Sequence, residues 1–315
     1  MNAGTVVLLI IVFLVATVLV SYVVEALRAA PPIPEKLSWA PDIPIRYTDL
    51  NGIRTRYIVT GNGPALVLLH TLRTQLDIFQ KVIPALSKHF TVYALDYPGH
   101  GYSDIPQTEY VPDLFVNTVN AFLDTEDLQD VMLAGVSIGG TIPLLIAAQG
   151  NQRVKNVVSI NPYDYGAGAG VGRGNAVAKV VVTLSKIPVI GATVMRLRNS
   201  MVERKIFEGG VSDPASLSPE FAKELFLVGT RKGHYVAFMN LLNNAPAWEQ
   251  ARLEYQKIRI PVLLVYGNQD WSTAAEREQT EQLIPGVRRE TVMNGGHFLT
   301  LDRPQEVERL IIDFA

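Results

Sequence analysis

Apolar positions run in three rhythms along this chain. The first is unbroken: Thr5 to Val24, TVVLLIIVFLVATVLVSYVV, carries no charged residue. Twenty residues at the helical rise span about 30 Å, the thickness of a bilayer core, so the stretch predicts a transmembrane helix. A secretory signal would show a basic start, a shorter apolar stretch and a small-residue cleavage site. The opening here, MNAG, has no Lys or Arg. Residues 1–27 are therefore expected to anchor a single-pass membrane protein. Arg28 and Lys36 follow the helix and no basic side chain precedes it, which by the positive-inside rule places the following domain in the cytoplasm. Residues 28–44 hold Pro31, Pro32, Pro34, Pro41 and Pro44 and predict a semi-rigid linker. Trp39 within it fits either the headgroup layer or the face of the domain.

The second rhythm is that of strands. Residues 45–59 alternate on both sides of Asn51-Gly52, a hairpin signal. Short apolar runs follow at 65–70, 91–96 and 130–136, further inner strands at 154–160 and 261–266, and a last short strand at 289–293. Continuous runs belong to strands buried on both faces. The third rhythm, near 3.6 residues, predicts helices at 113–123, 138–148, 273–283 and 304–314. Strands alternating with helices predict an α/β fold, a mostly parallel eight-stranded sheet with helices on both faces, over residues 45–162 and 251–315. Residues 163–250 break the alternation. They hold no buried strand and open on a glycine-rich stretch, YGAGAGVGRGN, at 165–175. They read as an inserted helical cap with a hinge at its entrance.

Composition narrows the function. A net charge of −2 without a long run of one sign argues against nucleic acid as a partner. The absence of cysteine excludes thiolate catalysis and Cys-based metal sites. The glycine-rich stretch lacks the G-K-[ST] of a phosphate loop, no H-E-x-x-H cluster occurs, and no cofactor or metal is expected. Arg196, Arg198, Arg204 and Lys205 lie close together; a solvated helix face is the expectation, contact with anionic lipid the alternative.

The chemistry converges on Gly135-Val136-Ser137-Ile138-Gly139-Gly140, set between a buried strand and a helix. A serine there sits on a sharp turn at the carboxyl edge of the sheet, and the glycines let neighbouring backbone pass. Its hydroxyl needs a general base. Of the five histidines, His297 is best placed, on the loop Asn294-Gly295-Gly296-His297-Phe298 after the last strand. His70 ends a strand and is better placed to shape the loop beside the serine. The base needs an orienting carboxylate. Asp270, directly after the strand PVLLVY and Gly-Asn-Gln, is the first candidate, and Asp164 after the preceding strand its competitor.

With these pieces in order, the chain resembles the α/β-hydrolase superfamily, most closely its esterase, haloperoxidase and C–C hydrolase branches. The matching segments are LVLLH at 66–70, LDYPGHGYSD at 95–104, GVSIGG at 135–140, LLVYGNQD at 263–270 and GGHFLTLDRP at 295–304. The resemblance implies a Ser137–His297–Asp270 triad and an oxyanion hole from the backbone N–H groups of Ile138 and Leu72. One departure stands out: the family usually has Gly after the strand-ending His, and this chain has Thr71. His70, Thr71 and Arg73 become candidates for substrate contact. Serine at the nucleophile position argues against dehalogenase or epoxide hydrolase chemistry, which the family performs with Asp there. Hydrolysis of a small-molecule carboxylic ester, lipophilic in view of the anchor and the apolar cap, is the expected activity. C–C bond hydrolysis on the same triad and a non-catalytic scaffold for a membrane partner are the alternatives.

Overall fold

The computed structural model describes residues 1–166 and 170–315. Part of the expected hinge, residues 167–169, lies outside the described residues. Helix α1 (Ala3–Ala26) is capped by Asn2, whose side chain accepts from the Thr5 N–H at 2.8 Å. Its apolar residues are exposed along most of its length. The linker that follows lies on the domain. Leu37 is buried, Lys36 pairs with Pro44 in a single β-bridge, and Trp39 Nε1 donates to Asp77 at 2.8 Å.

The eight strands form one sheet in the order β1-β2-β4-β3-β5-β6-β7-β8. Strands β1 (Ile45–Leu50) and β2 (Ile53–Thr60) make the expected hairpin, with Leu50 opposite Ile53. Asn51 and Gly52 take positive φ, as a two-residue turn with the right twist demands. Strand β2 runs antiparallel to β4 (Thr91–Leu95). From there the sheet is parallel: β3 (Ala65–Leu69), β5 (Val131–Val136), β6 (Val154–Ile160), β7 (Val262–Gly267) and β8 (Arg288–Val292). Every residue of β5 and β7 is buried, which is why their sequences run apolar without alternation.

Helices cover both faces. On one, α2 (Ile83–Leu86) meets α13 (Pro304–Phe314); on the other, α3 (Pro112–Thr125) meets α4 (Ile138–Ala148). Helix α11 (Ala274–Leu283) starts with a capping box between Thr273 and Glu276. A short turn, α12 (Leu299–Asp302), follows the His297 loop. Between β6 and β7 stand α5 (Ala176–Ser185), α6 (Ile190–Arg196), α7 (Ser200–Glu208), α8 (Pro219–Gly229), α9 (His234–Asn243) and α10 (Ala245–Ala251).

One expectation needs correction. Arg196 and Arg198 do not lie on a solvated face; they are 6% and 9% exposed. Both turn onto the last turns of α1, where Arg198 Nη1 meets Glu25 at 2.7 Å and Arg196 Nη1 donates to Ser21 Oγ at 3.0 Å. A buried guanidinium needs such partners, because an unpaired charge out of water is costly. Arg204 and Lys205 do stay at the surface, paired with Glu208.

Candidate active site

Ser137 sits between β5 and α4 with φ 61° and ψ −122°. A non-glycine residue there costs about 1–3 kcal/mol and persists only where its surroundings enforce it. The surroundings are glycines. A Cβ on Gly135 would lie 2.0 Å from the Gly139 carbonyl oxygen, and one on Gly139 2.0 Å from that of Leu69. The turn is thus packed backbone against backbone. Ser137 ends at the N-terminus of α4, whose first N–H, that of Ile138, has no intrahelical acceptor. That N–H and the helix dipole favour negative charge at this spot.

His297 is fully buried. Its Nδ1 lies 2.5 Å from Asp270 Oδ1. The other Asp270 oxygen accepts the Ser272 N–H at 2.9 Å and also the Ser272 hydroxyl. Burial alone would raise the Asp270 pKa, but His297 and the Ser272 donors outweigh it and hold the carboxyl below its ordinary value. An ionised Asp270 fixes the imidazole with its proton on Nδ1, leaving a lone pair on Nε2. His297 Nε2 and Ser137 Oγ are both buried without a hydrogen-bond partner among the described residues. The bond between them is not made in this state, and both atoms are free for a third participant.

Several residues outside the triad hold this geometry. Trp271 stacks on the His297 ring at 3.8 Å between centroids and 12° between planes, while its Nε1 donates to Gly209 of the cap at 2.8 Å. Asn161, at the end of β6, donates to the carbonyls of Gly296 and His297 at 3.0 and 2.9 Å and accepts the Gly267 N–H at 2.9 Å. One side chain thereby ties the Asp270 strand to the His297 loop. Asp302 accepts the N–H groups of Gly296 and Ser212, joining that loop to the cap.

His70 is placed to shape a loop and not to act as base. Its Nε2 accepts the Tyr97 N–H at 3.1 Å, so its proton is on Nδ1, which donates to the Thr71 carbonyl at 2.7 Å. Burial lowers its pKa to about 3. The same carbonyl also accepts from Thr74 N and Thr74 Oγ1 at 3.3 and 2.9 Å. Across a planar trans peptide the C=O and the next N–H point in opposite directions. Three donors on the Thr71 oxygen therefore aim the Leu72 N–H away from the His70 ring. The Thr74 hydroxyl and the His70 ring, both on the Thr71 carbonyl, explain how a loop with Thr in place of Gly keeps a defined course.

Arg73 points into the cap, where its Nη2 donates to Glu203 at 2.8 Å and its Nη1 to His234 Nδ1 at 3.2 Å. The carboxylate that faces it is the protein's own. Asp164 accepts from Thr280 Oγ1 at 3.3 Å, and burial pushes its pKa up to about 7. It is not the carboxylate on His297. An apolar cavity of about 80 Å³ lies between cap and sheet, lined by Leu72, Val181, Val194, Val202, Trp271 and Phe298 among others. Ligand sites commonly enclose about 300–1,000 Å³, several times this volume.

Residues 64–188 match the family model described as alpha/beta hydrolase fold. Among curated proteins, the chain is 26% identical to a haloalkane dehalogenase of Psychrobacter cryohalolentis, over 83% of this chain and 87% of that one. It is 24% identical to the carboxylesterase YbfK of Bacillus subtilis, over 83% and 84%. Among solved structures, Cfl2 of Burkholderia cenocepacia superposes with a TM-score of 0.77 at 20% identity, covering 90% of this chain and 99% of that one.

Proposed function

Since this chain belongs to the α/β-hydrolase superfamily, we propose that it is a membrane-anchored serine hydrolase that cleaves a lipophilic carboxylic ester. Ser137 is the nucleophile, His297 the base and Asp270 the residue that orients it. One observation carries this reading. An imidazole held by a carboxylate at 2.5 Å keeps a free, buried Nε2, and the one serine on a strained strand-to-helix turn keeps a free, buried Oγ.

In the reaction, the Ser137 hydroxyl adds to the ester carbonyl while Nε2 takes its proton. The oxyanion is met by the N–H groups of Ile138 and Leu72. The imidazolium returns the proton to the leaving alkoxide, which departs as the alcohol. Water then adds to the acyl-enzyme with the same base, and the acid leaves. Serine at position 137 favours an acyl-enzyme over the chemistry named for the dehalogenase relative. Helix α1 supplies the anchor: it is long and apolar enough to cross a bilayer, and only 6% of its most apolar window is buried. Arg28 and Lys36 behind it favour a domain on the cytoplasmic side.

The test is labelling with a fluorophosphonate and turnover of a chromogenic short-chain ester. The wild-type chain is expected to take one adduct, at Ser137. Ser137→Ala should take none and lose about 10⁴-fold or more in kcat. Asp270→Asn should label slowly and lose up to about 10⁴-fold in kcat through the wrong imidazole tautomer. An adduct elsewhere, or undiminished turnover by Ser137→Ala, overturns the assignment.

A further inference from the structure

Helix α5, AVAKVVVTLS, is apolar but for Lys179, Thr183 and Ser185, yet it is not a core helix. Val181 and Val182 face the cavity, and Val180, on the other side, is 56% exposed. The pattern repeats beyond it. Val194 lines the cavity, whereas Ile187, Val189, Ile190, Leu197 and Met201 are open, Met201 to 78%. A helical wall that is apolar on both sides has no stable place in water.

Its neighbour says what covers it. Thr17, Val18, Ser21, Val24 and Glu25 recur on one stripe of α1, and this stripe alone is half-buried or buried. It packs on α6. Beyond the Glu25–Arg198 and Ser21–Arg196 contacts, the Arg196 guanidinium lies 3.7 Å from the Tyr22 ring centroid. Arg28 Nη2 donates to the carbonyls of both Arg196 and Arg198 at 2.8 Å. From Thr17 to Glu25 the contact runs about 12 Å along the helix axis. Helix α1 is apolar enough to cross the bilayer only if this stretch lies within or just under one leaflet. The cap is therefore held at that depth, with its apolar face beside the anchor. Lys179, Lys186 and Lys205 are exposed around this face, where anionic headgroups would meet them.

We infer that the outer face of α5–α7 is a lipid-binding surface embedded in the leaflet that α1 leaves, and that acyl-chain substrate enters the cavity from that leaflet between these helices. This rests on the membrane reading of α1 and on Ser137 as nucleophile. The occupant is phospholipid, continuous with the lipid around the anchor. The substrate class is an ester whose acyl chain resides in the bilayer. Single-residue spacing along α5 separates the two apolar sides, Val180 to lipid and Val181 to the cavity.

The experiment uses the full chain in vesicles of phosphatidylcholine and phosphatidylglycerol. The chain has no cysteine, so Met201→Cys takes a single nitroxide label, with Glu290→Cys on the far edge strand as control. Label 201 should be more accessible to oxygen than to a nickel chelate, and label 290 the reverse. In parallel, Val180→Glu with Met201→Glu should keep turnover of a soluble short-chain ester and lose more than about tenfold on a long-chain ester dissolved in the vesicles. A label at 201 that faces water, spin–spin broadening that reports a second copy, or equal loss on both esters overturns the inference. Failure of the anchor is seen separately, as extraction of the chain by alkaline carbonate. Failure of the serine assignment is seen as soluble-ester turnover that survives Ser137→Ala.

Discussion

His70, His100 and His234 are all buried and all neutral. Burial is the first cause in each case, and it lowers His70 and His100 to about 3. In the unfolded chain a histidine titrates near 6.5. Between these values the unfolded state binds the proton and the folded state does not, so each such histidine makes stability rise with pH. Their contribution is whole above about pH 6.5 and is lost as pH falls towards 3. His100 hydrogen-bonds only through Nδ1, to the Pro98 carbonyl at 3.0 Å. His100→Asn should therefore reduce the slope of unfolding free energy against pH by one proton between pH 4 and 6, read from thermal or urea midpoints in detergent. An unchanged slope would mean that His100 is protonated in the fold. Asp270 acts in the same direction lower down: its depressed pKa gives stability that is present above the ordinary carboxylate value and lost below it.

The elements were legible where one physical demand dominates. The strands at 65–70 and 130–136 are near-continuous apolar runs because both faces are covered, and the structure places each within a residue of its expected bounds. The serine turn was legible because only glycines admit its backbone crossings. Gly139→Ala makes this concrete: the added methyl would sit 2.0 Å from the Leu69 oxygen and 2.4 Å from that of His70. Neither is a side chain that could swing away, so the turn and β3 must separate. The variant should fail to give soluble, cooperatively melting protein, whereas Gly150→Ala, a positive-φ glycine in open space, should cost only about 1 kcal/mol. Illegible were the residues whose role is a hydrogen bond to distant backbone. Asn161 carries no periodicity and no motif, and what it joins lies up to 136 residues away. Arg196 and Arg198 were read as solvated because their partners, Ser21 and Glu25, belong to a helix read only as an anchor.

At the scale of the molecule, that pairing makes α1 and the cap one unit. Arg198 donates to Glu25 from both Nη atoms, at 2.7 and 3.2 Å, and to the carbonyls of Gly229 and Met195. Two changes that both remove Glu25 should then differ in their consequences. Glu25→Ala leaves α1 in place, so Arg198 stays covered and loses its counter-charge. Breaking a fully buried pair costs about 3–5 kcal/mol. Glu25 keeps 16% of its side chain exposed, so about 1–3 kcal/mol is expected here. Truncation after Leu27 removes the cover together with the partner. Water then reaches Arg196 and Arg198, and the desolvation cost that made the partners necessary disappears. The truncated chain should therefore melt above Glu25→Ala in the same detergent, even though it lacks twenty-seven residues. Glu25→Gln, which keeps a hydrogen-bond acceptor without the charge, should fall between them. Differential scanning fluorimetry on the three proteins orders them. A truncated chain that melts below Glu25→Ala would mean that apolar packing of Thr17, Val18 and Val24 on α6, and not the ion pair, joins α1 to the cap.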